Sequence, residues 1–223
     1  MRKFETPTPI TAVINVPAGR VQVIAADRND TTVEVLPARS GRGRDVKAAE
    51  QTAVACGDGS LKVTTTLAGG QILGPSGSVE VTVQVPSGSN IEVESGGAEF
   101  RGVGRFGDLK VNGVAGAVKV DEAASVRLAV LGGDVTIGRL TGPAEISTHQ
   151  GDVRIGEADS GSLVLSTQMG DVIVDAAPGV SATLDARTGL GRIHNALRNT
   201  EGATAALAIR ATSGHGDITA RSH

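Results

Sequence analysis

The sequence has no tryptophan, no tyrosine and only three phenylalanines among 223 residues. Single-stranded nucleic acids and sugar rings stack on flat aromatic side chains, so this scarcity argues against both kinds of ligand. A single cysteine, Cys56, excludes an internal disulfide framework and a cysteine-rich zinc site. The formal charge of −3 is close to balance, and residues 97–223 carry 12 basic against 14 acidic side chains. That leaves no basic stripe for nucleic acid or for an anionic membrane. No stretch approaches about eighteen uncharged apolar residues, so no transmembrane helix is expected. Met1-Arg2-Lys3-Phe4-Glu5-Thr6-Pro7 has a basic pair with no apolar stretch behind it and does not read as a secretory signal. A cytoplasmic protein is the expectation. Neither H-E-x-x-H nor G-x-S-x-G occurs.

What the chain has in abundance is glycine, 31 residues, and much of it is periodic. Gly-Asp followed by an apolar alternation recurs at Gly107-Asp108, Gly133-Asp134, Gly151-Asp152, Gly170-Asp171 and Gly216-Asp217, with a variant at Gly191-Arg192. The starts at 133, 151, 170 and 191 lie 18, 19 and 21 residues apart, with half-repeats opened by Gly116, Gly142 and Gly161 between the repeats. Each half-repeat reads as a short period-2 strand ended by a glycine turn. Such a strand cannot bury its apolar face alone, whereas stacked equivalents share a continuous core, as in a β-solenoid. The alternation points inward Val135, Ile137, Ile146, Val153, Ile155, Leu163, Leu165, Val172, Val174, Leu184, Ile193, Leu207, Ile209 and Ile218. Val164 and Ile173 interrupt it and are read as a second packed face. About six turns from Gly107 onward, at ~4.8 Å each, give a rod on the order of 30 Å long. Thr148, Thr167, Thr188 and Ser213 fall in one column, where their hydroxyls bond along the rod.

Residues 1–96 are β-rich without a visible repeat and read as a cap over the first turn of a solenoid spanning 97–223. Strands are expected over 10–16, 20–26, 31–36, 79–85 and 90–94, with a hairpin of 52–56 and 61–66 across Gly57-Asp58-Gly59-Ser60. Asp45 reads as the cap of a short helix over 46–51. Residues 69–78 read as a flexible glycine-rich loop. The insertion Asn195–Gly202 is the best candidate for a functional loop.

Further features carry a resemblance. They are Phe4-Glu5-Thr6-Pro7, Val35-Leu36-Pro37, Asp45-Val46-Lys47-Ala48-Ala49-Glu50-Gln51-Thr52, Pro86-Ser87-Gly88-Ser89 and Ala98-Glu99-Phe100-Arg101. The Gly-Asp repeats, Gly191-Arg192-Ile193-His194-Asn195 and Gly216-Asp217-Ile218-Thr219 complete the set. Together they resemble, over essentially the whole chain, the β-strand-repeat proteins of domain-of-unknown-function family 4097, of actinobacterial type, also called adhesin-like. The resemblance implies an all-β, right-handed parallel β-helix. It implies no established activity, catalytic residue or cofactor.

Several motifs admit a chemical reading beside a structural one. Gly102-Val103-Gly104-Arg105-Phe106-Gly107 matches G-x-G-x-x-G, but strand and turn follow it where a dinucleotide site needs a helix. Asp134, Asp152 and Asp171 would lie on adjacent rungs, a weak candidate calcium site. The calcium-solenoid consensus is absent, and Asp after Gly is a common turn former. Arg192 then reads as a salt-bridge partner for neighbouring rungs. Polysaccharide-acting β-helix enzymes also use acidic faces, yet this chain lacks their long loops and aromatics. His149 and His215 fall near one turn column and admit a paired site. His194 lies at no metal-ligand spacing, Cys56 reads as a buried, inert thiol, and Arg39–Arg44 reads as a solvated loop. The sequence therefore reads as a non-catalytic scaffold or protein-interaction module without cofactor. Its partner would be an unidentified protein or its own copy, met at an outward sheet face or at a C-terminal rung of Gly216, Asp217, Ile218 and Thr219. Asn195 and Arg198 of the insertion lie alongside. The competing reading is a calcium-dependent binder or a polysaccharide-acting enzyme.

Overall fold

The computed structural model describes residues 1–66 and 77–223. Its strands, in chain order, are β1 (Arg2–Glu5), β2 (Thr11–Val16), β3 (Gly19–Ala26), β4 (Asp30–Pro37), β5 (Thr52–Gly57), β6 (Ser60–Thr65), β7 (Val79–Pro86), β8 (Asn90–Ser95), β9 (Ala98–Ala115) and β10 (Val118–Gly132). They continue as β11 (Val135–Leu140), β12 (Ala144–Gln150), β13 (Val153–Ala158), β14 (Gly161–Met169), β15 (Val172–Ala176), β16 (Ala182–Leu190), β17 (Ile193–Ala196), β18 (Leu207–His215) and β19 (Ile218–Ser222). One α-helix, α1 (Gly43–Glu50), interrupts them. Among the described residues no helix is long and apolar enough to cross a membrane.

The strands stack in two ladders that face each other across the core. Ladder I runs β1, β4, β7, β3, the first half of β9, the first half of β10, β11, β13, β15, β19, β17. Ladder II runs β5, β6, β2, β8, the second halves of β9 and β10, β12, β14, β18, β16. Only β1–β4, β4–β7 and β5–β6 are antiparallel; the other pairings are parallel. The molecule is thus an all-β, solenoid-like stack in which each coil gives one strand to each ladder.

Alternation drives the packing. In β7 every second residue, Val79, Val81, Val83 and Val85, is buried, and the polar residues between them are not. Each such aliphatic side chain contributes about 1.5–3 kcal/mol when removed from water. The core is aliphatic throughout, with Phe100 and Phe106 as its fully buried rings. All the repeat residues expected to point inward are buried, apart from two. Leu184 is half-buried and Ile193 is 47% exposed. Both belong to the coil β16–β17, which no further coil covers.

The coil order explains those two residues and departs from the sequence order. Coil β18–β19 lies between β14–β15 and β16–β17. Residues 216–220 are therefore not the open edge anticipated for them: β19 pairs on both sides, and β16 and β17 are outermost. At the other end β2–β3 lies between β6–β7 and β8–β9 in the same way.

Three local expectations also change. Val164, 40% exposed, points to solvent between Glu145 and Arg210 of neighbouring strands, so it marks no second packed face. Ile173 stands half-buried between Arg154 and Thr219. Asp45 is not the helix cap; α1 begins earlier, after Arg42, and Asp45 sits in its first turn, buried, with Oδ1 accepting the Ser78 N–H at 3.1 Å. The glycine-rich stretch 69–76 lies outside the described residues.

Candidate functional site

The Gly-Asp turns form a corner column whose bonds all run one way. Asp134 Oδ1 accepts the Asp152 N–H (3.0 Å), Asp152 Oδ1 the Asp171 N–H (2.8 Å), and Asp171 Oδ1 the Asp217 N–H (2.7 Å). Asp217 Oδ1 then accepts the Arg192 N–H at 2.8 Å. Each carboxylate spans from its own coil to the next, a charge-assisted bond that replaces a turn's missing ladder partner. Asn90 Oδ1 does the same for the Asp108 N–H at 2.8 Å. The coil that carries arginine in place of aspartate is the outermost one, where no further N–H remains to be accepted. Gly191-Arg192 was the one sequence signal for the end of the stack.

The glycines of these turns are as constrained as the aspartates. Gly151 and Gly170 have φ of 126° and 150°, and a Cβ on either would strike the carbonyl oxygen of the turn glycine one coil back. Behind them, inside the corner, lies the hydroxyl column. Thr148, Thr167, Ser213 and Thr188 share one register position. They do not bond to one another. Thr167 Oγ1 donates to Gly151 O (3.0 Å), Ser213 Oγ to Gly170 O (2.9 Å) and Thr188 Oγ1 to Gly216 O (2.9 Å). Thr148 Oγ1 donates instead to Gln150 O of its own coil at 3.1 Å, so the turns of Gly151, Gly170 and Gly216 are tied to the next coil on both flanks.

The structure does bring Asp134, Asp152 and Asp171 into line, but one oxygen of each is committed to a backbone N–H. Among the described residues no three His, Cys, Asp or Glu side chains converge. His149 and His215 are not brought together: His215 stands level with Met169, and Met169 with Gln150. Gly104 of the G-x-G-x-x-G match turns a corner within β9 with φ of 90°. Cys56 is half-buried, and burial pushes its thiol above the usual value.

Asp175, on β15, was not singled out by sequence reasoning. It is buried, and the Arg221 guanidinium of β19 grips both its oxygens; Arg154 Nη2 lies at 3.9 Å and His223 Nε2 at 3.7 Å. Burial alone would raise its carboxyl pKa, but the hydrogen bonds and charge of Arg221, with His223 and Arg154 behind, outweigh that and hold it below the usual range. Arg221 is correspondingly held more firmly protonated by its hydrogen bond to Asp175. The available signal was positional: Asp175 and Arg221 each sit five residues after a turn glycine, Gly170 and Gly216.

Among the described residues, two grooves stand out from smaller ones beside Asp185 and Arg210. One, of about 740 Å³ on the outer side of ladder II, is crossed by Glu92, Lys110, Arg127 and Glu145, with Arg127 and Glu145 paired at 3.2 Å. The other, of about 650 Å³, lies at the corner by Asp121 and Arg139. The hydrogen bond from Arg139 to Asp159, at 2.8 Å, leads the influences that raise the arginine's pKa. No histidine or cysteine lines either groove.

The open coil is the other distinctive surface. Among the described residues β16 pairs only with β18, and β17 only with β19. Alternate backbone N–H and C=O groups of an edge strand face outward, and Leu190 (66%) and Ile193 are exposed beside them. Asn195 lies on β17, and the Arg198 carbonyl accepts the Ala182 N–H at 3.0 Å, so the insertion wraps the start of β16.

No curated protein matches the chain. Among solved structures, it is similar to a proposed adhesin from Bacteroides fragilis NCTC 9343, at 16% identity and TM-score 0.48, covering 98% of this chain and 95% of that one. It is also similar to a proposed cell adhesion protein from Clostridium sporogenes ATCC 15579, at 11% identity and TM-score 0.35, covering 100% and 98%. A proposed adhesin from Parabacteroides merdae ATCC 43184 shows 12% identity, TM-score 0.41 and coverage of 98% and 94%. A family model is matched over residues 12–223: the chain belongs to the Toastrack DUF4097 family.

Proposed function

We propose that the chain is a non-catalytic scaffold of the β-helix type, right-handed as parallel crossover connections are, that works by protein binding and associates with its own copies. The observation that carries this reading is the outermost coil, β16–β17, whose strands each have one partner and whose apolar residues Leu190 and Ile193 are exposed. An unprotected parallel edge is a template for another chain. Asn195 and Arg198 border that surface; Gly216, Asp217, Ile218 and Thr219 support it from the coil beneath. The lone thiol of Cys56 suits a reducing, cytoplasmic setting.

The test is absolute mass by light scattering across a concentration series, without and with calcium. A mass rising above 22.4 kDa with concentration, indifferent to calcium, supports the reading. A constant monomer overturns self-association, and association that appears only with calcium favours a metal-dependent binder using Asp134, Asp152 and Asp171.

A further inference from the structure

We propose that β16 pairs antiparallel with β16 of a second copy, centred on Ala186, to form a closed two-fold dimer. This rests on the self-association reading and specifies its geometry. β16 is a nine-residue strand, Ala182–Leu190; with the Ala182 N–H held by Arg198 and the Leu190 carbonyl held by Gly216, the stretch from Leu184 to Thr188 is open, and Ala186 is its midpoint. The backbone phase agrees. Leu207 donates its N–H to the Ser181 carbonyl within ladder II at 3.2 Å, and the Ala182 N–H turns away to Arg198. Alternation then faces the backbone groups of Leu184, Ala186 and Thr188 outward, where an antiparallel partner meets them with reciprocal N–H to C=O bonds.

Charge fixes the register. Asp185 and Arg187 are exposed on the outer face of β16. Centring on Ala186 sets Asp185 opposite Arg187 of the partner subunit, and the two-fold repeats that pair. Centring on Asp185 or on Arg187 sets like charges opposite each other. Centring on Leu184 or Thr188 shortens the overlap and parts the opposite charges. The same two-fold covers Leu190 and sets the two β17 strands against each other. At the far end β1 is short and carries Arg2, Lys3 and Glu5, while β5, the edge of ladder II, spans six residues and lends its Val54 carbonyl to Arg2.

The experiment compares Asp185→Arg, Arg187→Asp and their equimolar mixture with the natural chain, by sedimentation and native mass spectrometry. Within one chain Asp185 also pairs with Arg210 at 3.4 Å, a contact that Arg187→Asp retains. Each variant alone sets like charges opposite twice and is expected to dimerise roughly tenfold more weakly or worse. The mixture restores both pairs and is expected to form mixed dimers within about threefold of the natural affinity. Ala186→Pro, which removes an outward N–H and no ladder bond, is expected to abolish the dimer and leave the melting temperature of the dilute monomer unchanged. A natural chain that stays monomeric overturns both this geometry and self-association. Dimers unmoved by the variants, no mixed dimer, or growth beyond two chains overturns this geometry alone.

Discussion

The two ends of the stack finish the same architecture by opposite means. At the first, the strand direction reverses: β4 and β5 run antiparallel to their neighbours, β1 adds a short charged edge, and α1 packs alongside β4 and β7. Arg2 Nη1 of β1 donates to the Val54 carbonyl of β5 at 2.9 Å, tying the two ladders together across that end. Lys3 adds an ion pair to Asp30 at 3.2 Å. At the second end, among the described residues, no strand reverses and no α-helix covers the coil; β16 and β17 keep the parallel direction of the strands beneath them, and the insertion, with a 3-10 turn at Gly202–Thr204, wraps only the start of β16. At the first end the edges are reversed strands, one of them short and charged, with a helix and an arginine bridge beside them; a buried neighbouring coil gives the second end none of these. The second end has its strength one layer down, in the lock between β15 and β19.

Five substitutions separate these devices. Arg221→Ala removes the lock and leaves the Asp175 carboxylate buried with only Arg154 and His223 to compensate, so the largest loss of stability in the set is expected in urea unfolding. The pH dependence carries the sign. Asp175 has a depressed folded pKa, so its contribution is complete above the unfolded value near about 4 and disappears as pH falls through the folded value. Arg221→Ala is expected to shrink that acid limb of the stability curve. At the covered end, Asp45→Ala strands the Ser78 N–H and is expected to cost about 1–2 kcal/mol, with unchanged acid dependence at Asp175. The corner column gives the smallest effects. Asp171→Ala is expected to cost about 1 kcal/mol, Asp171→Asn less than about 0.5, since Asn90 already plays that part, and Arg192→Ala nothing measurable. Melting temperatures of the set check the order.

What was legible in the sequence was what depends on neighbours in the chain. The β5–β6 hairpin was written in Gly57-Asp58-Gly59-Ser60, and the inward phase of Val153 or Ile218 in simple alternation. Leu184 and Ile193 have the right phase too, but exposure depends on what stacks above them, and that is a property of coil order. Equivalent Gly-Asp coils carry no local mark of which lies beside which. Arg192 was such a mark, legible only once the direction of the carboxylate bonds is known. Asp45 shows the converse case: before a helix it reads as a cap, yet a distant N–H at Ser78 claims its carboxylate.

The insertion of β18–β19 beneath β16–β17 also bears on how the chain can fold. A stack wound in sequence order could grow coil by coil during synthesis, each new turn settling on the last. Here β16 and β17 emerge before the strands that are to support them, and β2–β3 likewise waits for β8 on one side and β6–β7 on the other. Neither end can be completed by local zippering. Long loops must close first, which slows the search. Once assembled, the coil that ends the stack is not the one that ends the chain: β16–β17 could open while β18–β19, which follow it, stay seated on β14–β15.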